Sequence, residues 1–375
     1  MPRSSLNAPT SQRRDRNRPR RVRKRLRILD LFCGAGGTST AAALEVAARG
    51  YRIGPTWEES EVDLVAVNHN ATALASHEAN HPWARHTNAR VQDFDPRVWF
   101  PGGVVDLLIA TPSCKQFSTA RGGRPVNDQE RADVWEVPRI IGELDVVRNV
   151  LLENVPEFKK YGKTRRGRPL KHAEGAYYRA LKETLRVMEY TVGDAVLDSA
   201  DYGDPTNRRR LYVIAKRGRR AVQFPAPTHS REGKVAGTKP WRTAREAIDW
   251  SIPGTDVLTR DPPLALNTLV RIARGCWEFN GIDISPYVEH VYGEAGKAAR
   301  PQGRAPAGAV LGGSFLLGQQ SGATPRLVSL PGPTVASSGA VAVAEAFLAQ
   351  AGGPARAGRS PRSVAGPGPT LLCGD

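Results

Sequence analysis

The chain has 375 residues, 40% of them hydrophobic, with 54 lysines and arginines against 37 acids and a formal net charge of +17. That length builds one large α/β domain and a smaller one, and the charge suits a polyanion. No secretory segment and no apolar run long enough to span a bilayer is found, so no membrane is expected as a partner.

Four scattered cysteines, Cys33, Cys114, Cys276 and Cys373, form no CxxC pair. This argues against a disulfide scaffold or a cysteine-based zinc site and fits a reducing cytoplasm.

Residues 1–25 read as a basic disordered arm, because the first 27 positions hold eleven basic residues and one acid, Asp15. The strand-like run LRILDLF (26–32) follows, then a glycine-rich turn and an alanine-rich helical pattern. VDLVAVN (62–68) is a second strand, and ATALASHEAN a second helix that Pro82 stops. VVDLLIA (104–110) and RNVLLENV (148–155) are further apolar strands. YYRALKETLRVM is helical, YTVGDAVL extended, and RRLYVIAKR (209–217) a buried strand. Continuous apolar strands alternating with helices predict an α/β fold with a doubly wound, mostly parallel sheet. From about residue 222 glycine and proline rise and helical periodicity fades, except around WRTAREAIDW. The expected organisation is a domain over 26–221 and a second, smaller, loop-rich domain with short strands over 222–375. In the latter, PRLVSLPGPTV is echoed by PRSVAGPGPTL.

Several strand ends carry chemistry. The first strand closes on DLFCGAGG (30–37), where Gly34, Gly36 and Gly37 allow a tight turn and close approach of a ligand at a helix N-terminus. The blander reading is a plain βα turn. The second strand ends in Asn68 and His69 rather than an acid, which weakens a nicotinamide reading. Cys114 follows the strand that begins at Val104, on the same sheet edge as the glycines, and a polar loop succeeds it. Buried cysteines are commonly structural, but a thiol at a strand tip beside cations is set up to ionise and attack. Glu153 is the lone carboxylate of an apolar run and needs a partner or a task. Alternation turns Arg208 and Arg210 to one side of their strand and Arg209 to the other. That makes them two guanidiniums directed at Glu153, or else a surface charge cluster.

The order DLFCGAGG, PSC with FS, ENV and RRRLYVIA resembles the DNA (cytosine-5)-methyltransferase family over about residues 28–220. The resemblance implies an S-adenosylmethionine-dependent methyltransferase fold, with S-adenosylmethionine as cofactor and double-stranded DNA as partner. It implies a cofactor loop at Phe32, Gly34, Ala35, Gly36 and Gly37. Asn68 and His69 fall where the family holds ribose and adenine, and Asp93 where it holds the adenine amino group. Phe94 and Pro112 join this set. Cys114 matches the nucleophile, Glu153 the acid that engages cytosine N3, and Arg208 and Arg210 the arginines near the base. Ser118, Arg121 and Arg124 in the loop, with Trp241 and Arg242 in the recognition region, are candidate DNA contacts. Trp277 and Arg304 are further ones, core packing being the simpler reading for both tryptophans.

Some positions depart from the family pattern. Ser113 stands before the cysteine and Lys115 directly after it, with Gln116 displaced. Asn68 replaces an acid, and Thr206 replaces the glutamine usual before the arginines. The family's closing motifs are absent before LLCGD, so the expectation is a truncated chain, a second polypeptide that completes it, or a branch that manages without. Otherwise a monomer is expected. A catalytically impaired DNA-binding remnant is the rival reading that keeps the fold. HEANH (77–81) matches the zinc-binding HExxH pattern, but Pro82 ends the helix, and helix-capping or surface histidines are the plainer reading. No metal is expected.

Overall fold

The computed structural model describes residues 24–117, 127–249, 257, 260–303 and the short strands 314–318, 326–327, 332–333 and 341–345. Most of the arm, Ser118, Arg121, Arg124 and Arg304, and the second PGPT echo lie outside the described residues. The chain packs as two compact units, Met1–Ala110 with Arg139–Arg148 and Thr111–Pro138 with Asn149–Asp375.

The first unit is built on parallel strands β1 (Leu26–Leu31), β2 (Val62–Asn68), β3 (Arg85–Asn88) and β4 (Leu107–Ala110). Their order is β4-β1-β2-β3, with Leu29 level with both Val65 and Leu108. Six of the seven β2 positions are buried, as expected of a parallel strand covered on both faces. Each large side chain there stabilises the fold by roughly 1.5–3 kcal/mol. Helix α1 (Gly37–Ala48) starts from Gly36, whose left-handed φ of 100° turns the chain out of the sheet. Helix α2 (Ala71–Asn80) starts where the Asn70 side chain accepts the Ala73 N–H at 2.9 Å, and it ends at His81 before Pro82.

The second unit contains β5 (Asn149–Asn154), helix α3 (Ala176–Val187), β6 (Tyr190–Asp198) and β7 (Arg209–Arg217). β7 runs antiparallel to both β6 and β5. The α/β class with a parallel sheet matches the sequence expectation. β7, however, is not apolar throughout. Leu211, Val213 and Ala215 are buried, and the residues between them are only partly so. An antiparallel strand needs one apolar face, not two, and that leaves the other face for charged side chains.

The C-terminal region is more helical than its glycine and proline content suggested. Helices α4 (Leu266–Gly275) and α5 (Ser285–Tyr292) pack around Leu269, Ile272, Ala273, Cys276 and Val288. Among its described residues, 241–249, WRTAREAIDW holds a single 3₁₀ turn, Ala244–Ala247, started by a Thr243–Glu246 capping box. The first PGPT segment makes a short strand, with Gly332 and Pro333 level with Thr206 and Asn207 just before the arginine triplet.

Candidate active site

The second unit brings together Cys114, Glu153, Arg208 and Arg210. The strand register explains how. Tyr212 lies directly opposite Glu153, so their side chains share a face, and Arg210 and Arg208 follow at two-residue steps on that face. Arg210 Nε is 2.9 Å from Glu153 Oε1, and Arg208 Nη2 is 4.0 Å from the same oxygen. Burial holds the Glu153 carboxyl above its ordinary range, opposed by the charges of Arg210 and Arg208. Burial also lowers the Arg208 pKa, with repulsion from Arg210 next, while Glu153, Tyr212 and Cys114 act the other way. Arg208 is close enough to the partly exposed Cys114 to interact with it electrostatically.

The cysteine turn is fastened on several sides. Phe117 N–H donates to the Cys114 carbonyl at 3.0 Å. Gln116 accepts the Asn127 N–H at 2.8 Å and donates to Glu130 at 2.8 Å, which clamps the two ends of the polar loop. Arg131, 3% exposed, stacks over the Phe117 and Tyr161 rings at 5.5 and 4.7 Å and donates to the Gly162 carbonyl. Asn154, fully buried, donates to the Pro112 carbonyl at 3.1 Å and accepts the Val155 N–H. Sequence reading passed over Asn154 and Arg131. The available signal was an amide and a cation in otherwise apolar or aromatic surroundings, since such groups are buried only with partners. Pro112 is buried in this unit.

The first unit holds the remaining cofactor candidates. Phe32 and Gly34 are left-handed, with φ of 59° and 55°. A Cβ at Gly34 or Gly37 would meet nothing within 4 Å, so the turn has open space against its backbone, as a ligand approaching it requires. Ala35 lies between the packed Gly36 and that open Gly34. Asn68 is buried and its Oδ1 accepts the Asn70 N–H, while His69 is exposed. Asp93 and Phe94 line a cavity of about 460 Å³ with Gln92, Arg97, Arg139 and Glu143. Arg139 spans its floor, bonded to Glu143 and to the Val91 carbonyl. These features fit S-adenosylmethionine. Cys33 is a different thiol from Cys114. Burial, with the nearby Asp30 carboxylate, pushes it up to about 12.

Trp241 donates its Nε1–H to Asp201 at 2.9 Å, and Arg242 is paired with Glu246 at 3.0 Å. Trp277 lines a cavity of about 290 Å³ between α4 and the segment after α5. The HEANH histidines are not surface groups, although His81 does stand at the C-cap of α2. His77 is fully buried and His81 5% exposed, and both are hydrogen-bonded within the first unit. Among the described residues no group of histidines, cysteines and acids is arranged to hold a metal.

A family model for C-5 cytosine-specific DNA methylases matches residues 26–248. That is more than half of the chain, and the chain belongs to this family. Type II methyltransferase M.AgeI of Thalassovita gelatinovora is 27% identical over 225 residues, covering 57% of this chain and 46% of the relative. Type II methyltransferase M.AquIA of Picosynechococcus is 29% identical over 169 residues, covering 43% of this chain and 64% of the relative. A solved structure of a Spodoptera frugiperda DNMT2 variant aligns at 19% identity with a TM-score of 0.46, covering 68% and 66% of the two chains. The chain spans about half the length of the curated relatives it matches. No helix among the described residues is long and apolar enough to cross a membrane.

Proposed function

We propose that the protein transfers a methyl group to C5 of a flipped-out cytosine in double-stranded DNA. The observation that carries the reading is the partly exposed thiol of Cys114 in the same unit as the Glu153–Arg210 pair, with Arg208 close enough to interact electrostatically with both Cys114 and Glu153. The residue types suit the chemistry. C5 of cytosine is a weak nucleophile. Attack of the Cys114 thiolate on C6 forms an S–C6 bond and moves the ring's electron pair to C5. Glu153, whose carboxyl holds a proton more readily than an ordinary glutamate, supplies that proton to N3 as negative charge develops there. Arg210, 2.9 Å from Glu153 Oε1, fixes the carboxyl's orientation. S-adenosylmethionine, held along Phe32–Gly37 with Asn68, His69, Asp93, Phe94 and Pro112, supplies the electrophilic methyl. C5 uses its electron pair to bond that methyl, and the donor leaves as S-adenosylhomocysteine. Loss of the C5 proton to solvent then returns an electron pair to the ring, the S–C6 bond breaks to release the Cys114 thiolate, and N3 gives its proton back to Glu153. The base is out of reach inside a duplex, so it must leave the stack. Ser118, Arg121, Arg124, Trp241 and Arg242 are the proposed DNA contacts.

Nucleoside mass spectrometry on unmethylated DNA after incubation with protein and S-adenosylmethionine tests this. We expect 5-methylcytosine with the wild type and none with Cys114→Ser, while cofactor binding persists in both. Product from Cys114→Ser would refute the nucleophile. A folded wild type that binds cofactor but yields no product would favour an impaired DNA-binding protein or one half of a two-chain enzyme.

A further inference from the structure

The buried histidines of the first unit form a continuous network beneath the glycine turn, and the methyl-transfer reading does not use them. At one end Asp30, the buried acid of β1, accepts from Thr38 Oγ1 at 2.8 Å and Ser39 Oγ at 2.7 Å. His77 Nε2 lies 3.0 Å from Ser39 Oγ, and His77 Nδ1 lies 2.8 Å from His86 Nε2 on β3. Beside it, His81 Nε2 is 3.0 Å from Thr40 Oγ1 and 3.3 Å from the Gly36 carbonyl, to which Thr40 also donates at 2.9 Å. The His77 and His81 rings are 4.8 Å apart, and the Trp83 ring stands edge-on to His81 at 5.7 Å. A methyl group on Gly36 would come within 2.8 Å of His81 Cδ2 and 3.1 Å of His77 Cδ2.

The proton positions follow from the partners. Ser39 gives its hydroxyl proton to Asp30, so His77 Nε2 must carry the proton that meets Ser39 Oγ. Neutral His77 then accepts at Nδ1, and His86 donates. His81 Nε2 faces two oxygens, one of them a carbonyl that can only accept, so it too carries its proton on Nε2. His77 on α2 and His81 at its C-cap meet Ser39, Thr40 and the Gly36 carbonyl at the start of α1, Ser39 and Thr38 tie that turn to Asp30 near the end of β1, and His86 on β3 supports His77 from behind. β1 and α1 are the two elements that flank Phe32–Gly37.

We propose that His81, supported by His77, is a positioning residue of the cofactor turn, holding the Gly36 carbonyl and Thr40 so that the backbone from Phe32 to Gly37 is set in its binding shape before the ligand arrives. Neither histidine touches the ligand. Their effect on affinity comes from removing an ordering step. The part concerning cofactor affinity rests on the function proposed above. The bracing itself does not.

Two measurements on the full chain test it. In ¹⁵N-resolved imidazole spectra at pH 7.5, His77 and His81 should both be Nε2–H tautomers. In His81→Leu, amide exchange at Gly36 and Thr40 should speed up at least about tenfold while β2 amides stay unchanged. By calorimetry, His81→Leu should weaken S-adenosylmethionine binding about tenfold, the effect of one buried hydrogen bond. His81→Gln, which can place an N–H in the same spot, should recover to within about threefold of wild type. An Nδ1–H tautomer at His81, unchanged exchange in His81→Leu, or no recovery in His81→Gln would each overturn the proposal. If tautomers and exchange behave as expected but the wild type binds no S-adenosylmethionine, the bracing stands and the cofactor reading falls.

Discussion

Cys33 and Cys114 each follow a strand, and surroundings alone separate them. Cys33 is 4% exposed, and burial, with the Asp30 carboxylate next, disfavours its thiolate, whereas Cys114 is partly exposed and lies near Arg208. Sequence supplied the order of residues but not the environment. It marked Cys114 because a polar loop follows it. It missed Asn154 because an amide inside a strand has no periodic signature; only the Pro112 carbonyl it meets reveals a purpose. The glycines separate in the same way. Gly36 is packed against imidazole at a φ of 100°, while Gly37 opens α1 with free space at its Cβ position. Gly36→Ala should therefore lose about 1–3 kcal/mol of stability through backbone strain and contact with His81. Gly37→Ala should keep the wild-type melting temperature but weaken S-adenosylmethionine binding, because its methyl group occupies the space beside the turn. Equal melting temperatures for the two variants, read by scanning calorimetry, would contradict this.

Between elements, the strands were the most legible part. β1, β2, β5, β6 and β7 fall where the apolar runs placed them, to within a residue or two at most ends. α4 and α5 were not legible. A π turn at Cys276–Asn280 and the Gly281 break interrupt the 3.6-residue period, so no long stripe is visible in sequence. The histidine network was also hidden, since HEANH matches a metal pattern while its partners Ser39, Thr40 and Asp30 lie a helix away. That network ties stability to pH in two opposed ways. Burial, then His86 and His81, lowers His77 from 6.5 to about 4. Between those values the unfolded chain binds the extra proton, so stability falls as pH falls. Burial raises Asp30 from 3.8 to about 6, against the hydrogen bonds from Ser39 and Thr38. Here the folded chain binds the extra proton, so stability rises as pH falls through 6. At full extent each contribution is on the order of 3 kcal/mol, and they overlap between about pH 4 and 6. Asp30→Asn removes the second and leaves the first. Its unfolding free energy in urea should drop more steeply than the wild type's from pH 6.5 to 4. Parallel profiles would mean that the two groups do not titrate in opposition.

For the whole molecule, charge is the dominant fact. A chain of net +17 attracts a polyanion, and that charge supplies encounter and non-specific affinity rather than site choice. Arg25, which the sequence reading placed in the arm, contacts the described fold: its Nε donates to the Ser60 carbonyl at 2.8 Å, its Nη2 donates to the Glu58 carbonyl at 2.8 Å, and it lies over the Trp57 ring at 5.1 Å. A cut before Lys24 keeps Arg25 and these contacts. It removes eight arginines and one aspartate, a net +7, and leaves +10. For every phosphate that the arm no longer neutralises, the slope of log Kd against log salt should flatten by about 0.9. If the arm lies along DNA, the truncated protein should show a slope shallower by about two or more, with its affinity deficit greatest at low salt and vanishing as salt screens both forms. Its methylation rate at saturating DNA should be unchanged, since Cys114, Glu153, Arg208 and Arg210 all lie in the second unit. A slope equal to the full chain's would show that the arm makes no phosphate contacts and that the remaining +10 carries the electrostatic attraction alone.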